Sequence, residues 1–167
     1  MPKKTNAAKH PRVTKTNSVT VNPSFGVSAE HDDHPINVSE YKKLKKMPIP
    51  RPRKFGDEET VSVTLDLTYP LTDAVPVRMS HRTFKAKTVW DVCKKIRSMY
   101  EKIYEKDEEL GGKTAAQAKK EDPRRRLDNR GFGPLIWGHD IGDLVVEVLT
   151  FTWASPTECY VDVFVGS

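Results

Sequence analysis

Residues 144–165 read LVVEVLTFTWASPTECYVDVFV and form the most apolar part of the chain. In Leu144–Trp153, hydrophobic side chains occur on both faces of an extended chain, which is typical of a central or covered strand. In Cys159–Val165, valines alternate with other residues, which predicts a second strand. Residues 154–157, ASPT, predict a hairpin between the two strands.

A second pair of strands is predicted farther upstream. Residues 61–68 alternate apolar and polar side chains, which indicates a strand with one solvent-exposed face. A turn-rich passage containing Pro70 and Pro76 leads to a shorter strand near Arg82–Ala86. We expect this strand to pair with the first one as a wide hairpin.

One long helix is predicted between the two pairs of strands, over Val89–Glu108. Thr88 stands before it and Asp91 follows three residues later, which is the arrangement of a capping box at a helix start. Apolar residues at spacings of three and four form one stripe, which predicts that the helix packs on the sheet. The stripe consists of Val89, Val92, Cys93, Ile96, Met99, Tyr100 and Ile103.

These elements predict one compact α+β domain over residues 59–167, in the order β-β-α-β-β. Its sheet is expected to be mostly antiparallel, with one main helix packed across it. A chain of 167 residues has room for one such core plus extensions. A charged loop is predicted at residues 111–131. Residues 1–58 are predicted to form a long, extended N-terminal arm without its own core.

The predicted arm carries the positive charge of the chain. Residues 1–58 contain 12 Lys and Arg against 6 Asp and Glu, whereas residues 59–167 contain 16 against 17. A basic arm on a near-neutral body is expected to bind an acidic surface or to become ordered on a partner. Pro48, Pro50 and Pro52 favour an extended, polyproline-like conformation along that partner. The predicted contact residues of the arm are Phe25, Tyr41, Lys42, Lys43, Lys45, Lys46, Arg51 and Arg53.

The charged loop supplies a second group of candidate contacts. Residues 119–130 are rich in Lys and Arg, and the candidate phosphate contacts are Arg124, Arg125, Arg126 and Arg130. Acidic residues dilute this cluster, so a solvated loop with local ion pairs is the alternative interpretation. The predicted strands show no exposed aromatic pattern on which bases would stack.

No set of residues in the sequence predicts catalysis, a cofactor or a metal. Residues 111–114, GGKT, lack the first glycine of a phosphate-binding loop, since Asp107 occupies that position. Residues 31–34, HDDH, offer metal ligands, but these are consecutive and no second set accompanies them. Cys93 lies on the apolar stripe, where a thiol normally behaves as a small hydrophobe.

Residues 133–147 read GPLIWGHDIGDLVVE and follow an Arg-rich stretch. The turn at residues 137–143 is predicted to insert Trp137 into the core, while Asp140 or Asp143 caps a single helical turn. The whole passage resembles one in small proteins of large icosahedral DNA viruses that infect algae and protists. This resemblance implies a minor capsid or other virion component, with its compact domain among larger capsid proteins and its arm along their inner surfaces.

The sequence therefore predicts a non-enzymatic structural or assembly protein whose partners are other protein subunits. The alternative is a nucleic-acid-associated protein, ribosomal or packaging, that places the arm and the 119–130 loop on phosphates. A regulatory adaptor with a ubiquitin-like body follows from the element order alone. Two cysteines and the lack of a long apolar run predict a reducing compartment, cytoplasm or nucleus if not the virion, and no membrane span.

Overall fold

The computed structural model describes residues 17–56, 60–111 and 133–167. Most of the predicted charged loop and the first part of the predicted arm lie outside the described residues. So do the four candidate phosphate contacts Arg124, Arg125, Arg126 and Arg130. In the described residues the fold is α+β, which confirms the predicted class.

Six strands of the described part of the chain form one mixed sheet. They are β1 (Ser18–Val21), β2 (Phe25–Gly26), β3 (Val61–Asp66), β4 (His81–Ala86), β5 (Val145–Ser155) and β6 (Glu158–Gly166). The order across the sheet is β1-β5-β6-β3-β4, and β2 also pairs with β5. Neighbouring strands are antiparallel except β3 and β6, which are parallel. The two predicted hairpins, β3 with β4 and β5 with β6, are confirmed.

In the described ranges, three α-helices accompany the sheet: α1 (Pro35–Lys46), α2 (Val77–Ser80) and α3 (Val89–Gly111). The long helix predicted from Val89 is α3. Its capping box is confirmed, because Asp91 N–H donates to Thr88 Oγ1 at 3.2 Å and Thr88 N–H donates to Asp91 Oδ2 at 3.0 Å. Both side chains thus satisfy backbone donors that a helix start leaves unpaired.

The hydrophobic core lies between one face of the sheet and the apolar side of α3. All members of the predicted α3 stripe are buried. In β6, Cys159, Val161 and Val165 are buried in the same cluster, while the residues between them are at least partly exposed. Since successive side chains of a strand point to opposite faces, the sheet has one core-facing side and one outward side.

Residues 17–56, here called the N-terminal segment, differ from the predicted extended arm. β1 and β2 pair with β5, and α1 packs on α3. The segment contributes five side chains to the core of the body: Phe25, Val27, Tyr41, Leu44 and Ile49. Its apolar residues show no long periodicity because they come from several short elements that each bury one or two side chains.

The conformation of residues 35–52 was only partly predicted. Pro35 stands at the start of α1, where a missing backbone N–H costs nothing, and Tyr41 and Leu44 lie on the buried side of the helix. Beyond the helix, Pro48 forms a bridge with Thr88, and the carbonyl of Pro50 accepts a hydrogen bond from Trp153. The proline-containing stretch therefore lies along the protein's own body.

The prediction for Trp137 is wrong. Its side chain is 63% exposed, and the buried side chains of this passage are those of Leu135 and Ile136. The predicted cap is confirmed, because the carboxylate of Asp140 accepts a hydrogen bond from Gly142 N–H at 3.1 Å, at the start of a single 3₁₀ turn. The turn thus holds Trp137 at the surface.

Candidate functional site

Two predicted contact residues, Phe25 and Tyr41, are core residues of the folded chain. Phe25 is 0% and Tyr41 4% exposed, and their ring centroids lie 5.0 Å apart. Trp90 of α3 completes a group of three rings, at 5.4 Å from Phe25 and 5.3 Å from Tyr41. The Tyr41 hydroxyl also accepts a hydrogen bond from Gly26 N–H at 3.0 Å. Both side chains therefore contact other residues of the same chain and are not exposed to a partner.

Arg97 of α3 holds the same part of the N-terminal segment through its guanidinium. This group donates to both carboxylate oxygens of Asp32, at 2.8 and 2.9 Å, and to the carbonyl of Gly26 at 2.8 Å. It also lies over the ring of Phe25, 4.4 Å from the centroid. A bidentate ion pair with a further hydrogen bond fixes both the distance and the orientation of the N-terminal segment relative to α3. We call Phe25, Asp32, Tyr41, Trp90 and Arg97 the anchor cluster.

The predicted basic contact residues are spread over the end of α1 and the loop that follows. Lys42, Lys43, Lys45 and Lys46 are all exposed. Lys43 pairs with Glu40 at 2.6 Å, and the ammonium of Lys45 lies 4.9 Å from the ring centroid of Trp90. Arg51 lies over the ring of Trp153 at 5.0 Å, and Arg53 is exposed. The lysines thus remain accessible to a partner.

The outward side of the sheet, here called the open sheet face, is rich in hydroxyl groups. The strand pairings align Ser18, Thr152, Tyr160, Thr64 and Thr83 in one row. Hydroxyl oxygens of facing residues lie within hydrogen-bond distance: 3.1 Å for Ser18 and Thr152, and 2.8 Å for Thr64 and Thr83. Such cross-strand contacts hold the side chains in place. The open sheet face is therefore an ordered surface.

Two aromatic side chains stand on this face. Tyr160 is 53% and Phe164 59% exposed, and both belong to β6, the middle strand of the sheet order. Four residues of extended chain separate them by about 13 Å, at roughly 3.3 Å per residue. The prediction that the strands carry no exposed aromatic pattern is therefore wrong. The signal was present in the sequence, because Tyr160 and Phe164 share the parity opposite to Val161 and Val165.

The open sheet face carries more acidic than basic side chains. Asp66, Glu158 and Asp162 share the parity of Tyr160 across the paired strands β3 and β6. Lys85 and His81 lie on the neighbouring strand β4, and His81 Nδ1 lies 2.6 Å from Asp66 Oδ1. This surface therefore combines two exposed rings, many hydroxyls and a weak excess of carboxylates.

The cysteines are placed as structural residues. Cys93 is 0% and Cys159 2% exposed. Burial raises the pKa of each thiol to about 12, because the charged form would lose its hydration. Both thiols are therefore protonated at neutral pH, and a protonated thiol is a poor nucleophile. The prediction that Cys93 acts as a small hydrophobe in the core is confirmed in its placement.

Two residues of the HDDH stretch make tertiary contacts with distant parts of the chain. Asp32 pairs with Arg97, and His31 Nε2 lies 2.6 Å from the carbonyl of Gly142. Within residues 17–56, 60–111 and 133–167, no group of three or more His, Cys, Asp or Glu side chains is arranged to hold a metal ion. Over the same residues, no helix has the length and apolar character needed to cross a membrane.

No model of a known protein family matches the chain. Searches of curated proteins and of solved structures likewise found no match. Function is therefore inferred from the surfaces of the molecule itself.

Proposed function

We propose that this chain is a non-enzymatic assembly protein that binds another protein subunit through the open sheet face. The observation that carries the proposal is the pair of exposed rings, Tyr160 and Phe164, on the middle strand of the sheet. Aromatic side chains are enriched at the centres of protein interfaces and supply much of their binding energy. Here ordered hydroxyls of Thr64 and Thr152 flank Tyr160 on the two neighbouring strands, and such polar groups can exclude water around an interface centre.

The charge of the open sheet face favours a protein partner over nucleic acid. Asp66, Glu158 and Asp162 would face the phosphates of a bound strand, and Lys85 is the lysine that opposes them on β4. Nucleic-acid binding depends on cations that neutralise phosphates, so this face repels a phosphate backbone. A subunit that presents Lys or Arg around an apolar patch is complementary to it.

The resemblance of residues 133–147 supports a more particular proposal. In that setting the chain is a minor capsid component of a virion, and its partners are capsid proteins. The N-terminal segment then contributes by completing the body, since β1 and β2 extend the sheet that presents the two rings. Residues 1–16, with their lysines, remain the part proposed as an arm along neighbouring subunits.

The second candidate function is association with nucleic acid. It is favoured by the exposed lysines at the end of α1, which lie on a different element from the open sheet face. Binding by those lysines should weaken steeply as salt rises, because counterions are released from the phosphates. A titration of the full chain with duplex DNA and RNA at increasing salt separates the two candidates: weak binding at physiological salt favours the protein partner.

The direct test introduces a photo-crosslinking phenylalanine analogue at Tyr160 in the cells that produce the assembly. A crosslink to one defined protein subunit is expected. As a control, the analogue at Val77, which is 73% exposed on α2, should give no such product. Equal crosslinking from both positions, or a product that nuclease removes, would contradict the proposal.

The identified subunit should then bind the purified chain in a Tyr160- and Phe164-dependent manner. The double variant Tyr160→Ser/Phe164→Ser should raise the dissociation constant by roughly 700-fold or more, since interface anchors contribute about 2 kcal/mol or more each and about 1.4 kcal/mol corresponds to tenfold. Val77→Ser removes an exposed apolar group elsewhere and should leave the dissociation constant within about twofold. Unchanged binding by the double variant would refute the proposed surface.

A further inference from the structure

A small cleft opens on the helix-bearing side of the molecule, where α3 meets α2 and β4. Its volume is about 200 Å³. We call it the basic cleft, because three of its lining side chains are cationic and none is acidic. The lining residues are Met79, Arg82, Thr83, Lys95, Ser98, Met99 and Lys102.

The cations of the basic cleft converge from two elements. Lys95 and Lys102 are seven residues apart on α3, with Ser98 between them, so all three lie on one face of the helix. Arg82 approaches from β4, at a position paired with the buried Leu65 and therefore on the helix-bearing side of the sheet. Three like charges around one concavity repel one another unless an anion lies between them.

Other lysines of α3 show how this helix usually neutralises its charge. Lys94 pairs with Asp91 at 3.5 Å, and Lys106 pairs with Glu109 at 2.7 Å. In the described part of the chain, no ion pair joins Arg82, Lys95 or Lys102 to a carboxylate. The ammonium of Lys95 lies 5.5 Å from the ring centroid of Phe84, a contact that limits where it can move.

We propose that the basic cleft binds a phosphate monoester. A guanidinium can donate two parallel hydrogen bonds to phosphate oxygens, whereas the two ammonium groups act as point charges, and the Ser98 hydroxyl adds a neutral donor. A monoester carries a charge of about −1.5 to −2 at neutral pH, which matches three cations better than the single charge of a diester. Met79 and Met99 offer an adaptable apolar wall for the organic part of the ester.

This inference concerns the helix-bearing side and does not depend on the partner proposed for the open sheet face. A free metabolite and a phosphorylated side chain are the two sources of a monoester, since both present the same group. Inorganic phosphate, phenyl phosphate and a phosphoserine peptide distinguish these sources. Tighter binding of the peptide than of phenyl phosphate would assign a phosphorylated protein, and the reverse a small molecule.

The test is isothermal titration of the full chain with phenyl phosphate at low salt. The variant Lys95→Gln/Lys102→Gln should weaken binding at least about tenfold, because each charge-assisted hydrogen bond is a large part of such an interaction. Lys94→Gln/Lys106→Gln removes the same charge from the same helix outside the cleft and should change binding less than about twofold. Dimethyl phosphate, a diester, should bind at least about tenfold more weakly than phenyl phosphate.

Binding should also weaken as pH falls below about 6, where the monoester loses its second charge. Without ligand, the Lys95→Gln/Lys102→Gln variant should melt at the same temperature as the parent or higher, since it removes mutual repulsion. Equal losses in the two double variants, equal binding of the diester, or no binding of phenyl phosphate would each overturn the proposal. Tighter binding of a single-stranded oligonucleotide than of phenyl phosphate would also overturn it.

Discussion

Replacement of Phe25 by alanine should lower the free energy of unfolding by about 4 kcal/mol. Phe25 is 0% exposed, and truncating a buried phenylalanine typically costs about 3 to 5 kcal/mol. A value no lower than the middle of that range is expected because the ring also contacts two aromatic neighbours and a guanidinium. Trp90 meets it edge-on with an interplanar angle of 86°, and Arg97 lies 4.4 Å from its centroid.

Equilibrium unfolding in urea, followed by circular dichroism, measures this loss. At a slope of about 2 kcal/mol per molar, the unfolding midpoint should fall by roughly 2 M with the slope unchanged. The matched control is Phe164→Ala, which removes the same atoms from a side chain that is 59% exposed. It should change stability by no more than about 0.5 kcal/mol. A loss below about 1 kcal/mol for Phe25→Ala would refute the packing of the N-terminal segment and restore the extended arm.

Two further predictions concern buried polar groups. The pKa of Cys93 and of Cys159 is about 12 in the folded protein against an ordinary value of 9.0. The contribution of the two thiols to the free energy of unfolding is therefore constant below about pH 9 and is lost as pH rises toward 12. Urea midpoints measured from pH 7 to 10 should show this loss of stability, and the variant Cys93→Ala/Cys159→Ala should reduce it. Asp107 is 2% exposed and accepts hydrogen bonds from Gly133 N–H at 3.0 Å and Leu135 N–H at 2.7 Å. Asp107→Ala should therefore lower the free energy of unfolding, measured by thermal unfolding, by about 2 to 3 kcal/mol. Asp107→Asn should lower it less, because the amide oxygen of Asn still accepts a hydrogen bond. Equal losses in the two variants would contradict the hydrogen bonds from Gly133 and Leu135.

The elements with a regular pattern were predictable from the sequence. The stripe of α3 repeats over four turns, and the Thr88–Asp91 pair marks its start by a local interaction that needs no partner from elsewhere. The strands β3, β5 and β6 likewise alternate or run apolar over enough residues to identify them. In each case the pattern is local, so it can be recognised without knowledge of the tertiary structure.

The N-terminal segment could not be predicted because its stability is not local. α1 buries only Tyr41 and Leu44, and β2 has only two residues. Their docking depends on Trp90, Arg97 and β5, which lie far away in the chain, so neither composition nor periodicity near residue 25 reports it. The alternation in β6 did give a sequence signal for the open sheet face, but which of its two sides is covered depends on where α3 packs.

The position of β6 has a consequence for how the protein is made. β6 joins β5 to β3, yet it follows every other strand of the sheet in the chain. Until β6 has left the ribosomal tunnel, the β3–β4 hairpin and the β1–β5 pair have no strand between them and no shared hydrogen-bond ladder. Each nascent half would then present one strand edge without a partner, β3 in one half and β5 in the other. The sheet can therefore be completed only after the end of β6 has left the ribosomal tunnel. Chaperones that bind exposed apolar strands would be able to bind the nascent chain before that point.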